Sequence, residues 1–377
     1  MDNSIQMCDL ASQYEGMKEE IDLAVSQVMA SGRYIKGSEV ESFETELAEW
    51  IGSKHCITCG NGTDALYLAL LAMDLKPGAE VITPSFTFVA SVEAIVRAGF
   101  KPVYADVDKD TFCVTKETVE KVITPNTGAI IAVHLFGQCC DMDSIMALGR
   151  SKGIKIIEDA CQSIGSGYTF RDGTNKRGGA IADIGCTSFF PTKNLGCMGD
   201  GGALFTDNDD YAAKIRSLAN HGMAQRYHYQ YIGINSRLDA IQAAILRVKL
   251  KHIGEFFYSR STAAAYYDSN LSGVLDKYIS VPTTQKGSIH TYNQYTIKVA
   301  GGERDVLRSY LADKGVPTMV YYPNPIHLQA PYKEGDGVSL PVTESLCNEV
   351  LSLPMHTELS ESIQERVVNA IKCFYRV

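Results

Sequence analysis

A chain of 377 residues, 45% hydrophobic and 21% charged, is long enough for a large α/β domain and a smaller one, with the make-up of an ordinary folded protein. Its net charge of -9 at pH 7 argues against nucleic acid or an anionic membrane as partner, and no apolar run is long enough to span a bilayer. The N-terminal stretch MDNSIQMCDLASQYEGMKEE lacks a basic region followed by an apolar one, and the 11 Cys are scattered, so reduced thiols and a cytoplasmic location are expected. Cys56 and Cys59 form a CxxC, but no second pair completes a zinc site, and no metal is expected.

In chain order, residues 14–30 and 39–51 read as amphipathic helices. Strands and helices then alternate. The predicted strands are His55–Cys59, Glu80–Thr83, Lys101–Asp106, Ala129–Leu135, Lys155–Asp159, Cys186–Phe190 and Gly202–Thr206. Helices are predicted over Thr63–Leu75, Ser91–Ala98, Lys116–Val122 and Asp143–Lys152. The strands are continuous apolar runs, which implies a three-layer α/β/α architecture around a mostly parallel sheet covered on both faces. A single long helix is expected over Arg237–Phe257, closing a large domain of residues 1–257. Residues 258–377 are expected to form a smaller C-terminal α+β domain, with strands at Tyr292–Val299 and Thr318–Tyr322 and loops marked by Pro323, Pro325 and Pro331.

Ligands of parallel sheets bind off the carboxyl ends of the strands, and four segments fall at such ends. The first is CGNGTDAL (Cys59–Leu66), a glycine turn opening a helix. Gly60 to Ala65 matches GxGxxA, but the next strand ends in Thr83 with no acidic residue for a ribose, so a dinucleotide fits poorly. A single phosphate fits better, held by the backbone N–H groups of Gly62 to Asp64 and the Thr63 hydroxyl; an ordinary turn capped by Thr63 or Asp64 is the plainer reading. The second segment is TPSFTFVA, in which Phe86 or Phe88 can stack on a planar cofactor or both can be core. The third is IIEDACQS, which ends a buried strand in Asp159, a carboxylate able to hold a protonated pyridine nitrogen or simply to bond loop amides. The fourth is TSFFPTKN followed by GCMGDGG: Lys193 sits in an apolar stretch, where desolvation frees its amine for imine chemistry, and Ser188 is available to a phosphate. An amine, a carboxylate and a phosphate cradle are what pyridoxal 5′-phosphate (PLP) requires.

The series DLASQYEGMKEEID, RYIKGSEVESFE, CGNGTDALYLAL, VITPSFTFVAS, PVYADVD, VHLFGQ, IIEDACQSIGS, TSFFPTKNLGCMGDGGALFTD and GINSRLDAIQAAIL resembles, nearly end to end, the DegT/StrS family of PLP-dependent sugar-nucleotide aminotransferases, of aspartate-aminotransferase fold type I. The resemblance implies Lys193 as the Schiff-base lysine, Asp159 as the partner of the pyridinium nitrogen and Gln162 on the O3′ side of the ring. It implies Phe88 as the stacking aromatic and Gly62, Thr63 and Ser188 as the phosphate cradle. Asn235 matches an asparagine that reaches the phosphate from a neighbouring subunit, which implies a homodimer with shared active sites. The implied amino donor is L-glutamate. The forms NSRLDAIQAAIL, NPIHLQ and LPMHTEL look like the 3-keto-sugar branch, so the acceptor is expected to be a UDP-2-acetamido-2-deoxy-3-oxo-glucuronate or a dTDP-3-keto-6-deoxyhexose. Arg237 is a candidate for a carboxylate or diphosphate, or for the dimer interface; His327 is placed near the sugar, or else packs as a loop histidine between Ile326 and Leu328. A 4-keto-sugar aminotransferase and a non-catalytic PLP-binding regulator are the alternatives.

Overall fold

The computed structural model describes residues 4–333 and 337–377. Seven strands build the central sheet: β1 (His55–Cys59), β2 (Glu80–Pro84), β3 (Lys101–Ala105), β4 (Thr127–Val133), β5 (Lys155–Asp159), β6 (Ile184–Ser188) and β7 (Gly202–Thr206). Their spatial order is β1-β7-β6-β5-β4-β2-β3. Every neighbouring pair is parallel except those of β7, which runs antiparallel to both β1 and β6. The expected mostly parallel sheet is therefore present.

Successive side chains point to opposite faces of the sheet, and each face has its own apolar core. On β7, Leu204 packs with Ile57, Ile130, Ile157 and helix Gly62–Ala72, while Ala203 and Phe205 face Phe43, Leu47 and Leu246 on the other side. Helices Lys18–Ser31, Ser38–Ile51 and Ala240–Lys251 cover that second face. The resulting three layers leave the carboxyl ends of β1, β5 and β6 open along one edge.

The C-terminal part has an antiparallel sheet of β8 (Ile279–Ser280), β9 (Tyr295–Val299) and β10 (Val350–Leu353). Helices Ile253–Leu271, Arg304–Asp313 and Glu361–Tyr375 bury Tyr267, Leu307, Val367 and Ile371 against it. Ile5, from the chain's start, also joins this core, so the N-terminal segment is shared between the two parts.

Several expectations need correction. Residues 14–30 are not one helix: Leu10–Gly16 and Lys18–Ser31 meet at Met17, which is buried. Arg237–Phe257 is not one helix either; it begins at Ala240 and breaks at His252, after which Ile253–Leu271 runs on. The residue 257 boundary thus falls inside a continuous helix, whose Phe256 faces the large core and whose Tyr267 faces the small one. Thr318–Tyr322 pairs only through the single bridge Met319↔Ser352, and its place in the sheet is taken by β10, an apolar run absent from the sequence expectations.

Candidate active site

A cleft of about 590 Å³ opens at the carboxyl ends of β1, β5 and β6. It gathers Gly62, Thr63, Asp64, Phe88, Asp159, Gln162, Ser188 and Lys193, eight of the predicted site residues, from segments up to 131 positions apart.

Helix Gly62–Ala72 aims its N-terminus into the cleft. Its cap is Asn61, not Thr63 or Asp64: Asn61 Oδ1 accepts from the Asp64 N–H at 2.8 Å. That bond takes one of the three donors expected for a phosphate and leaves the N–H groups of Gly62 and Thr63, which no intrahelical carbonyl can satisfy. The Asp64 carboxylate accepts from the Ser236 hydroxyl (2.7 Å), which itself accepts from the Gly60 N–H (2.9 Å), so Asp64 ties the turn to the 235–237 segment. Only glycine fits at position 62, since a Cβ there would lie 2.7 Å from Ser188 Cβ and 3.0 Å from Cys161 Sγ. Gly202 meets the same need on β7, where a Cβ would stand 2.5 Å from the Asn61 carbonyl oxygen. These two close approaches bring the helix terminus tight against Ser188, where both line the cleft.

Asp159 closes β5 and is only 6% exposed. Its Oδ2 accepts from the Ser91 hydroxyl at 2.7 Å and its Oδ1 from the Cys161 N–H at 3.2 Å. Gln162 is held on both sides, accepting from the Phe136 N–H and donating to the Tyr322 hydroxyl, each at 2.9 Å. The two phenylalanines of TPSFTFVA part company. Phe86 is buried against Phe112 and Phe136, whereas Phe88 is 56% exposed on the cleft wall beside Tyr322.

Lys193 is half-buried in the cleft. Desolvation lowers its pKa below the ordinary lysine value, partly offset by the nearby Asp159 carboxylate. Its loop is anchored by Asn194, whose Nδ2 donates to the Thr291 carbonyl at 3.0 Å. The Cys161 thiol is driven well up by burial and stays protonated. An exposed aromatic face, a carboxylate, a desolvated amine and an anion cradle that tolerates no Cβ together fit PLP.

Three predicted residues lie outside the cleft of the single chain. Asn235 is exposed to solvent, and Arg237 donates to Asn220 Oδ1 at 3.3 Å. His327 is 2% exposed and does not reach the cleft: its backbone N–H donates to Ser85 Oγ, and the same hydroxyl shares a hydrogen bond of 2.7 Å with the ring Nδ1. It packs near Tyr104, so the loop-histidine reading is the one the geometry supports, with Ser85 as its partner. Asn61, Ser91, Cys161 and Tyr322 were not singled out from the sequence. Asn61 carried a legible signal, a capping residue just before a helix; Tyr322 comes from a segment 160 residues after Gln162 and carried none.

The DegT/DnrJ/EryC1/StrS aminotransferase family matches residues 15–372. A "Pleiotropic regulatory protein" of Geobacillus stearothermophilus is 43% identical over 99% of both chains. The UDP-2-acetamido-2-deoxy-3-oxo-D-glucuronate aminotransferase of Pseudomonas aeruginosa is 44% identical over 94% of this chain and 96% of its own. Among solved structures, S. venezuelae DesV in complex with a ketimine intermediate superposes with a TM-score of 0.94 at 38% identity, covering 99% of each chain. This chain belongs to the DegT/DnrJ/EryC1/StrS aminotransferase family.

Proposed function

We propose that the protein is a PLP-dependent aminotransferase that moves an amino group from L-glutamate to a nucleotide-linked 3-keto sugar, with UDP-2-acetamido-2-deoxy-3-oxo-glucuronate as the first candidate. The observation that carries this reading is one cleft holding the Lys193 amine, the Asp159 carboxylate and the free helix terminus at Gly62. When bound, PLP supplies an electron sink for the charge that develops on the substrate carbon. The chain's residues do the rest. Thr63, Ser188 and the Gly62 N–H would hold the phosphate, and Phe88 would cover one ring face. Asp159 would hold a proton on the ring nitrogen, and Gln162, already pinned by Phe136 and Tyr322, would meet the O3′ side of the ring. Lys193 would attach the cofactor and, once freed, carry a proton to or from the substrate carbon that bears the amino group, a task that its lowered pKa suits. The same base serves both half-reactions.

Asn235 is assigned to the phosphate of a second copy's site, which makes the working enzyme a homodimer. The similarity to the Pseudomonas aeruginosa enzyme, at 44% identity, supports the UDP-linked uronate over a dTDP-linked 6-deoxyhexose or a 4-keto sugar. The Geobacillus stearothermophilus relative carries a regulatory name, yet the cleft of this chain keeps the full set of reactive groups.

The test is turnover by purified protein supplied with PLP, L-glutamate and each keto-sugar nucleotide in turn. The UDP-linked 3-oxo-uronate is expected to be aminated with formation of 2-oxoglutarate, and Lys193→Ala to abolish turnover in a folded protein. Turnover retained by Lys193→Ala sinks the assignment of that lysine, and amination of the dTDP sugar alone moves the substrate to the other branch.

A further inference from the structure

Asp159 is not held by its own turn alone. Helix Ala90–Arg97 lies beside the cleft, and its Ser91 reaches across to a strand 68 positions later in sequence. Ser91 is 1% exposed and Thr87 2%, and their hydroxyl oxygens lie 3.1 Å apart. Thr87 itself lines the cleft.

The direction of these bonds follows from proton counting. A hydroxyl has one proton to give, and an ionised carboxylate can only accept. The short contact of 2.7 Å from Ser91 Oγ to Asp159 Oδ2 therefore uses the Ser91 proton. The Thr87 hydroxyl must then be the donor in its contact with Ser91. The chain reads Thr87 to Ser91 to Asp159, with every proton pointing at the carboxylate. The Cys161 N–H holds the other carboxylate oxygen from the opposite side at 3.2 Å. Two donors from two different elements fix the plane of a carboxylate far better than one, and leave its remaining lone pairs to face the cleft.

We infer that Ser91 is a positioning residue for Asp159, and that Thr87 acts through Ser91. The helix supplies this contact because Ser91 sits in its first turn, on the side turned to β5. Its backbone N–H bonds the Phe88 carbonyl at 3.3 Å, so the segment carrying the aromatic wall of the cleft also carries the support of the carboxylate. The inference rests on the reading of Asp159 as the partner of the cofactor ring.

The experiment compares wild type, Ser91→Ala, Thr87→Val, Thr87→Ser and the double variant Ser91→Ala/Thr87→Val, each saturated with PLP. Three quantities are read: the visible absorbance and circular dichroism of the bound cofactor, the PLP dissociation constant, and kcat and KM for the keto sugar. Ser91→Ala is expected to change the visible dichroism and lower kcat about 10-fold, the scale for one lost hydrogen bond to a charged group, with KM held within about twofold. Thr87→Val keeps the side-chain shape and is expected to show a smaller loss in the same direction; Thr87→Ser restores the wild-type values. In the Ser91→Ala background Thr87→Val is expected to add nothing, because its only route to Asp159 is gone. Should Ser91→Ala fail to fold, the loss in Thr87→Val and its recovery in Thr87→Ser still decide the matter. Unchanged dichroism and kcat in Ser91→Ala overturn the positioning role, and additive losses in the double variant overturn the route through Ser91. Absence of a cofactor band in the wild type is a different failure, since it removes the functional reading and with it the role of Asp159.

Discussion

Gly62 shows how one atom decides whether the cradle exists. A Cβ at this position would press on Ser188 Cβ at 2.7 Å and Cys161 Sγ at 3.0 Å, and both neighbours are fixed by strand and turn. Gly62→Ala is therefore expected to widen the gap between the helix terminus and Ser188, moving the N–H donors off the phosphate. A loss of one to two such bonds to an anion weakens PLP binding by about 10- to 100-fold, measurable by absorbance titration, with the chain still folded. A second residue-scale effect concerns pH. Burial pushes the His290 pKa down to about 3, and burial together with the nearby Arg260 cation pushes that of His356 down to about 4. Both imidazoles are thus neutral in the folded chain, while in the unfolded chain they titrate near the ordinary value of 6.5. Below that value the unfolded state takes up protons that the folded state cannot, so the contribution is intact above pH 6.5 and lost as pH falls toward the folded values. Between pH 6.5 and 5 each histidine is expected to cost about 2 kcal/mol. Urea unfolding at the two pH values checks this: a His290→Gln/His356→Gln variant should lose less stability on acidification than the wild type, and an equal loss would assign the effect to other groups.

Among the elements, β5 does two jobs with adjacent carboxylates. Asp159 faces the cleft, while Glu158, fully buried, holds the turn that leads into β6. It accepts from the N–H groups of Gly179 (2.9 Å), Ile181 (2.7 Å) and Ala182 (2.7 Å) and from His134 Nε2 (2.9 Å). Burial raises its pKa, but the histidine and the backbone donors outweigh that and keep it below the usual glutamate value. Glu158→Ala leaves four donors, three of them buried, without an acceptor and is expected to cost about 3–5 kcal/mol, read as a shift of the urea midpoint. A loss under about 1 kcal/mol would mean that water replaces the carboxylate there. This pair also marks what the sequence could reveal. The β-strands were legible because both faces are apolar, and Asp159 stood out as a charge ending such a run. Glu158 looked the same in sequence, and its role emerges only from a turn more than 20 residues later. Ser91 and Tyr322 were hidden for the same reason: their partners lie 68 and 160 positions away, and no local pattern records such pairings. The breaks at Met17 and His252 escaped because the apolar periodicity continues through both, with Met17 itself buried. His327 misled because a loop histidine beside prolines gives no sign of whether it turns toward a ligand or toward Ser85.

At the scale of the molecule, the single chain supplies a cleft but leaves Asn235 outside it. Ser236, next in sequence, is bonded to Gly60 and to Asp64 at the helix terminus, so Asn235 sits close to the cradle while it stays exposed and outside the cleft. The hairpin Met223–Gln225 and His228–Tyr229 just before it exposes Tyr227 and Tyr229, and the segment that follows exposes Ile232, which is 97% exposed. Large apolar groups so placed beside an outward-facing polar residue fit a surface that a second copy covers. On the proposed reading each site takes Lys193 from one chain and Asn235 from the other, and this makes a sharp prediction about mixtures. Lys193→Ala and Asn235→Ala homodimers are each expected to be impaired, the first without turnover and the second through weakened phosphate binding. When the two are mixed and allowed to exchange subunits, half the dimers are mixed, and each of these has one site with both wild-type residues and one with neither. Turnover at limiting PLP should therefore rise to about one quarter of the wild-type value for a two-fold dimer. Adding Ile232→Asp to both chains is expected to weaken pairing and reduce this recovery, with sedimentation velocity reporting the fall toward a 41.2 kDa species. Recovery that never exceeds the average of the two parents would place both residues' effects within one chain, and Asn235 would then serve its own subunit.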